Sequence, residues 1–321
     1  MRYIYISLFK VFILFFFILV PITHAQQISM TISPPLKRLI MKPGSTISFK
    51  YSIENVGDPT AIKIRIVSVK PADNQGRLQL SDSVEGPIQF SISTNDEAPI
   101  SVLKTKQSRD YTITIRVPDG APEKDYYYTI LAENSPFPAP EGQSSMRIQS
   151  GIGSHLFISI TSNAQLENKA KISVFSVLNA HKIPFMSGIH IYDSDDPIPL
   201  YLEVSNLGKN LIQPKGTVIV TGINYKKTYD ILPKYILNSS QRVLVSNDML
   251  RNCKGCPHNI TTSINQLSFG KYTASTSIKF FDGSSMIYGT TQFYVFPFKL
   301  FFIVIVVVIT SIFSYFKLYK R

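Results

Sequence analysis

The sequence predicts an all-β protein: two tandem β-sandwich domains followed by one C-terminal transmembrane helix. Three observations lead there. Between the two ends, apolar residues recur at every second position, the period of a strand with one buried face. Turn residues punctuate those runs, and no internal stretch keeps a helical face over about ten residues. Close to the C-terminus, Leu300 to Phe316 forms 17 residues without a charge.

The elements follow in chain order. Arg2 and Lys10 flank the start of the apolar run Val11 to Val20, and Pro21 leads to the small-residue pattern Thr23 to Ala25. This is a secretory signal peptide, residues 1–25. An uncleaved anchor that includes Leu8 and Phe9 is the alternative. The first sandwich, residues 26–162, opens on Ser33 to Gly44, where Pro34 and Pro35 break the first strand so that it can switch sheets, because proline cannot donate to a ladder. Ile47, Phe49, Tyr51 and Ile53 then alternate with polar residues, as do Ile62, Ile64 and Ile66, and later Tyr111, Ile113, Ile115 and Val117. Turns are marked by Lys42 to Gly44, Gly57 to Pro59 and Val117 to Pro122. From Asp73 to Pro99 the alternation is interrupted and strand order is not legible.

The polar stretch Asn163 to Lys171 marks the boundary to a second sandwich, residues 163–295. Its strands are read from Leu200, Leu202 and Val204, and from Tyr272, Ala274, Ile278 and Phe280. Each module of roughly 130 residues is long enough for a two-sheet core. The predicted membrane helix, residues 297–317, has an aromatic collar of Tyr294, Phe296 and Phe298 and is followed by the basic tail 318–321, with Lys317, Lys320 and Arg321 at its end. Cationic residues favour the cytoplasmic side, so the tail is expected inside and the sandwiches outside a plasma membrane crossed once.

The two halves share a local pattern. Asn55, Val56 and Gly57 end one alternating strand, and Asn206, Leu207 and Gly208 end another. Each half also has a late strand that opens on a tyrosine, Tyr126 and Tyr272. Similar order at similar spacing predicts a repeated module.

Charge narrows the partners. The chain carries 33 basic and 21 acidic residues; removing the six basic residues of the terminal segments leaves an ectodomain charge of +6. Eight of the remaining cations lie between Lys209 and Lys254, where only Asp230 and Asp248 oppose them. Such a stretch suits anionic headgroups or acidic wall polymers, with Lys226, Lys227 and Lys234 as candidate contacts. An exported chain is not expected to meet nucleic acid. The three tyrosines Tyr126, Tyr127 and Tyr128 are a second candidate surface, because aromatic rings stack on sugars or partner proteins, although a core role explains them as well.

No catalytic constellation is legible. Ser154 and His155 lack a third group, Gly151 and Gly153 begin a strand rather than a phosphate loop, and no nucleophile elbow occurs. The acidic run Asp193 to Asp196 lacks the glycine and distal glutamate of a calcium loop. Cys253 and Cys256 are expected to form a small-loop disulfide outside the cytoplasm; a redox site would need a helix there, and zinc would need more ligands than His258 adds. The expectation is a non-enzyme without cofactor or metal.

Ile32 to Asp58 and Val117 to Glu133 together resemble the first sandwich of bacterial cell-surface proteins of the WxL-interacting type, and Ile198 to Ile219 resembles the opening of their second module. The proline-glycine before an alternating strand that ends in asparagine is also similar to pilus-assembly chaperones and to immunoglobulin-like bacterial modules. The first resemblance implies tandem immunoglobulin-like sandwiches that bind a cell-wall polymer or a surface protein, with the lipid bilayer as a further partner through one helix. The expected function is therefore a membrane-anchored surface binder. The alternative is an export or assembly chaperone that acts by strand addition.

Overall fold

The computed structural model describes residues 27–94, 100–135, 150–178, 191–252, 259–280 and 286–319. The expected signal peptide 1–25, the pair Cys253 and Cys256 expected to form a disulfide, and the last two residues of the expected basic tail lie outside them.

Strands dominate. The first sandwich contains β1 (Met30–Ser33), β2 (Leu36–Met41), β3 (Thr46–Asn55), β4 (Thr60–Pro71), β5 (Leu78–Leu80), β6 (Gln89–Thr94), β7 (Ile100–Leu103), β8 (Gln107–Arg116), β9 (Asp125–Ser135) and β10 (Gly151–Ile160). One sheet runs β1-β3-β8-β6, and the facing sheet runs β2-β10-β9-β4-β5 with β7 also on β4. The proline pair does what its missing N–H groups require: β1 pairs with β3 in one sheet, and β2, two residues later, pairs with β10 in the other. Alternation becomes burial as expected, since Tyr51, Ile53, Tyr111, Ile113, Ile115 and Val117 all point into one core. In the turn before β3, Gly44 has φ of 76°, and a Cβ there would collide with the Asp119 carboxylate.

The second sandwich is formed by β11 (Ala170–Val177), β12 (Ile191–Tyr192), β13 (Ile198–Asn206), β14 (Lys215–Gly222), β15 (Tyr225–Ile231), β16 (Gln241–Val243), β17 (Thr262–Ile264), β18 (Gly270–Lys279) and β19 (Ile287–Val295). Its sheets are β11-β13-β16, with β17 also on β13, and β12-β19-β18-β14-β15. Leu200, Leu202, Val204, Val218, Val220, Tyr272, Ala274, Ile278 and Phe293 fill its core. Antiparallel pairing predominates within both immunoglobulin-like sandwiches, and the described helices are only the six-residue Asn247–Asn252 and the C-terminal Phe298–Tyr319.

The repeat seen in the sequence is a shared piece of hydrogen bonding. The Asn55 Nδ2 donates to the carbonyls of Asp58, Leu103 and Lys104, while its Oδ1 accepts from Gly57 N. In the second half Asn206 Nδ2 donates to the carbonyls of Asn210, Ile236 and Leu237, and its Oδ1 accepts from Gly208 N. A buried amide thus satisfies loop carbonyls at the end of β3 and again at the end of β13. The tyrosines agree: Tyr126 OH donates to Pro122 O at 3.4 Å, and Tyr272 OH donates to Ser268 O at 2.9 Å, each closing back on a residue four earlier. This is the tyrosine corner of immunoglobulin-like sandwiches.

The C-terminal helix has 22 residues, about 33 Å at 1.5 Å per residue, against a bilayer hydrocarbon core of about 30 Å. Its window Phe298–Tyr315 has a mean hydropathy of 2.3 and is not buried by the rest of the chain.

Candidate functional site

Two features involve the last strand of the first sandwich, β10: an open edge at its beginning and, farther along at the junction with the second sandwich, an apolar, charged-rimmed cleft.

The open edge belongs to β10. Along Gly151 to Ser159 this strand pairs with β9, but on its other side pairing with β2 starts only at His155. The cause is the sheet switch, since Pro34 and Pro35 turn β1 away toward β3. Ser150 O accepts from Asn134 N on the β9 side, whereas His155 N donates to Pro35 O on the β2 side. Backbone groups alternate along a strand. Gly151 and Gly153 therefore aim their N–H and C=O groups at the side that β2 leaves empty. Both are exposed, and without side chains they let another backbone approach closely. Ser154, the last residue before pairing resumes, is held by its hydroxyl donating to Pro34 O at 2.6 Å.

The cleft lies between the sandwiches and is lined by Leu36, Arg77, His155, Phe157, Tyr235 and Arg242, among others, with a volume of about 170 Å3. Under it sits an apolar seam of Val69, Tyr127, Phe157, Leu211 and Leu237. Polar bonds flank the seam. The buried Asp125 carboxylate accepts from Asn210 Nδ2 at 2.7 Å and from Leu211 N at 2.5 Å, and Tyr127 OH donates to it at 3.2 Å. Tyr127 OH in turn accepts from Asn238 N at 2.9 Å. On the other flank Asn74 Nδ2 donates to Glu203 Oε2 at 2.8 Å and to Tyr201 OH at 3.1 Å, while Val243 N donates to Asn74 O at 2.7 Å. Two separate sets of polar bonds, one buried and one half-buried, thus join residues of both halves on either side of the apolar seam.

Charge in the cleft is set by burial. Burial pulls the Arg242 guanidinium below its ordinary value, opposed by Asp73, and Arg242 Nη1 donates to Tyr235 O at 2.8 Å. Burial also lowers His155, favouring its neutral form; its Nδ1 is 2.9 Å from Thr129 Oγ1 and its ring stacks on Phe157. Tyr201 is pushed up to about 12, first by burial and then by its bond to Glu203. Arg38 lies over the Tyr235 ring at 5.1 Å, a cation at the mouth of an aromatic wall. Among the described residues no cluster of three or more His, Cys, Asp or Glu could hold a metal ion.

Against this geometry the chain was compared with known proteins. No family model matches it, and no curated protein matches it. Solved structures do align. The class 5 fimbriae chaperone CfaA has 13% identity, with 82% of this chain and 99% of that one covered at a TM-score of 0.41. The E. coli chaperone DraB has 14% identity, with 84% and 98% covered at 0.38. The SafB chaperone structure from Salmonella enterica, in complex with the SafA pilin, has 13% identity, with 84% and 99% covered at 0.37.

The expectation of a surface protein that binds wall polymer or a partner through its two sandwiches is corrected here: these three similar structures are fimbrial chaperones, a likeness of fold, and the residues on which that expectation rested are not available as binding surfaces. The candidate residues point the same way. Tyr126, Tyr127 and Tyr128 are 9%, 8% and 1% exposed. Tyr126 and Tyr128 fill the first core and Tyr127 fills the seam, so none of the three offers a ring to an external sugar. Lys226 and Lys227 are neighbours on the edge strand β15, where successive side chains leave opposite faces. Lys227 lies over the Tyr229 ring at 4.9 Å, and Lys234 is exposed on the loop after β15. The structure does not bring the three lysines to one face.

Two functional features escaped sequence reasoning. Asp125 and Asn210 are 85 positions apart, and no periodicity links them. The only hint was an aspartate opening a strand whose next residues are all aromatic, a polar group with no solvent face to occupy. The acidic run is the second. Asp193 accepts from Lys299 N at 3.0 Å and Asp196 pairs with the Lys299 ammonium, so these carboxylates pin the start of the C-terminal helix to the sandwich.

Proposed function

We propose that this chain is an assembly chaperone that binds an extended segment of a client protein by adding it as a strand along the open side of β10. The observation that carries the reading is the half-paired strand: Gly151 and Gly153 offer backbone donors and acceptors beside a partner strand that begins four residues later. An incoming strand would run along that edge, and its main-chain bonds would supply affinity irrespective of sequence. The nearby cleft, with Leu36, Phe157 and Tyr235, would take an apolar or aromatic side chain at the end of the added strand, while Arg77 at its rim is neutralised by Asp73. The seam between the sandwiches keeps edge and cleft in fixed relation, so the client meets a preorganised surface. The C-terminal helix would hold the chaperone at a membrane with both sandwiches on the outer side, where exported clients emerge.

The reading is tested with peptides of about ten residues carrying apolar side chains at alternate positions, a length and pattern typical of one strand. Fluorescently labelled peptides are titrated with the full chain in detergent. Strand addition predicts that N-methylation at alternate peptide positions abolishes binding and that Gly153→Pro, which removes one donor from the edge, weakens it at least tenfold, while Gly153→Ala, which brings the same Cβ against Thr129 but keeps the N–H, serves as the control and should bind within a few-fold of the parent. Binding that survives both peptide N-methylation and Gly153→Pro overturns the proposal.

A further inference from the structure

The base of the second sandwich carries an apolar surface that the chaperone reading does not use. Ile223, at the tip of the hairpin between β14 and β15, is 73% exposed, and Phe269, immediately before β18, is 67% exposed. Both line an open depression together with Tyr294, Phe296 and Phe298, and Lys271 is the single charged residue among the lining groups. Isolated apolar residues on a surface are ordinary; a contiguous patch of large ones marks a contact. The Phe269 and Phe296 ring centroids are 5.7 Å apart, Phe296 and Phe298 4.9 Å, and Phe296 and Phe301 5.6 Å. The patch therefore passes without a break into the first turn of Phe298–Tyr319, the helix long and apolar enough to cross a bilayer.

That helix is not a loose tether. Phe296 N donates to Tyr192 O, Lys299 N donates to an Asp193 carboxylate oxygen, and the Lys299 side chain pairs with Asp196. Three links fix the helix start against the end of the sandwich. Whatever surrounds the first turn of the helix must also surround the patch beside it. Aromatic residues favour the headgroup level, and a lysine such as Lys271, whose ammonium lies 6.0 Å from the Tyr294 ring centroid, suits anionic headgroups at the edge of such a contact.

We infer that the base of the second sandwich, centred on Ile223 and Phe269, docks into the headgroup layer of the bilayer, so that the protein sits on the membrane rather than standing away from it. The inference rests on the reading of Phe298–Tyr319 as membrane-spanning. Its consequence is orientational: the helix and the patch give two fixed contacts with one bilayer, and the first sandwich is thereby presented at a set angle instead of sweeping freely.

The chain contains no tryptophan, so single replacements report one position each. Full-length Ile223→Trp, Phe269→Trp, Tyr288→Trp and Ile305→Trp are reconstituted in phosphatidylcholine vesicles with and without brominated acyl chains. Tyr288 lies on β19 six residues before Tyr294, about 20 Å away along the strand, and is 70% exposed, which makes it the control for a solvated site. The expected result is blue-shifted emission, quenched by bromolipid, at positions 223, 269 and 305, with position 288 unquenched. Quenching at 305 without quenching at 223 and 269 overturns the inference and leaves the membrane helix standing. A blue shift at 223 and 269 that bromolipid does not quench means that the patch is covered by protein, and also overturns it. No quenching at 305 removes the membrane reading and this inference with it.

Discussion

Replacing Asp125 by alanine is expected to loosen the two sandwiches from each other while leaving each intact. The side chain is buried and its carboxylate takes three donors: Asn210 Nδ2, Leu211 N and Tyr127 OH. A hydrogen bond to a charged group contributes about 1.5–3 kcal/mol, so the two shorter bonds alone set a range of about 3–6 kcal/mol. Water entering the space recovers part of this, and the lower end, about 3 kcal/mol, is the working figure. The assay is hydrogen exchange at amides that bridge the junction without touching Asp125: Asn238 N, bonded to Tyr127 OH, and Val243 N, bonded to Asn74 O. At about 1.4 kcal/mol per decade, their protection should fall roughly a hundredfold. Ile113 and Leu202, central in the two cores, should change little. Equal loss at core and junction amides, or no loss at Val243, would refute the claim that the two flanks and the seam between them open together.

Other expectations follow from the same contacts. Asn206→Ala removes the side-chain donor to the carbonyls of Asn210, Ile236 and Leu237, of which Ile236 O keeps Ile212 N and Leu237 O keeps Ser240, and should lower the unfolding free energy of the second sandwich by about 1–3 kcal/mol in denaturant titration, with the first sandwich unaffected. Tyr272→Phe removes the corner bond to Ser268 and should cost about 1 kcal/mol in the same titration, more than Tyr126→Phe, whose bond is longer. Burial pushes Asp193 up, but bonds from the backbone N–H of Asp195 and Lys299 outweigh it and hold the carboxyl below its ordinary value of 3.8. Because the folded value is the lower one, this contribution is complete above the ordinary value and is lost as pH falls through the folded one. Exchange at the Lys299 amide, corrected for its intrinsic rate, should therefore quicken in acid below that value, and Asp193→Asn should abolish the dependence. Deleting residues 297–321 should leave a folded pair of sandwiches that no longer sediments with membranes.

Much of the fold was legible because a half-buried strand writes its face into the sequence. Tyr111, Ile113, Ile115 and Val117 alternate, and all four are buried. The sheet switch at Pro34 and Pro35 was legible for a similar reason, since a missing N–H is a local fact with a local consequence. So was the repeat, because the cap that Asn55 makes on nearby carbonyls needs asparagine followed two residues later by glycine, and Asn206 needs the same. The site was not legible, because its parts lie far apart in the chain. Tyr127 was read as a possible external contact because strand parity placed it opposite Tyr126 and Tyr128, and parity cannot say that a second sandwich covers that face. The cationic excess misled in the same way, since its lysines are spread over separate faces. The open edge depends on where β2 stops pairing, a property of register that composition does not carry.

The central claim is that an added strand completes β10, and residue-resolved hydrogen exchange on the client-bound chain tests it most directly. The amides of Gly151 and Gly153 should exchange quickly in the free protein and become protected on binding, while Ile152, already bonded toward β9, changes little. Protection confined to the cleft around Phe157 and Tyr235, with Gly151 and Gly153 still exchanging freely, would contradict the account.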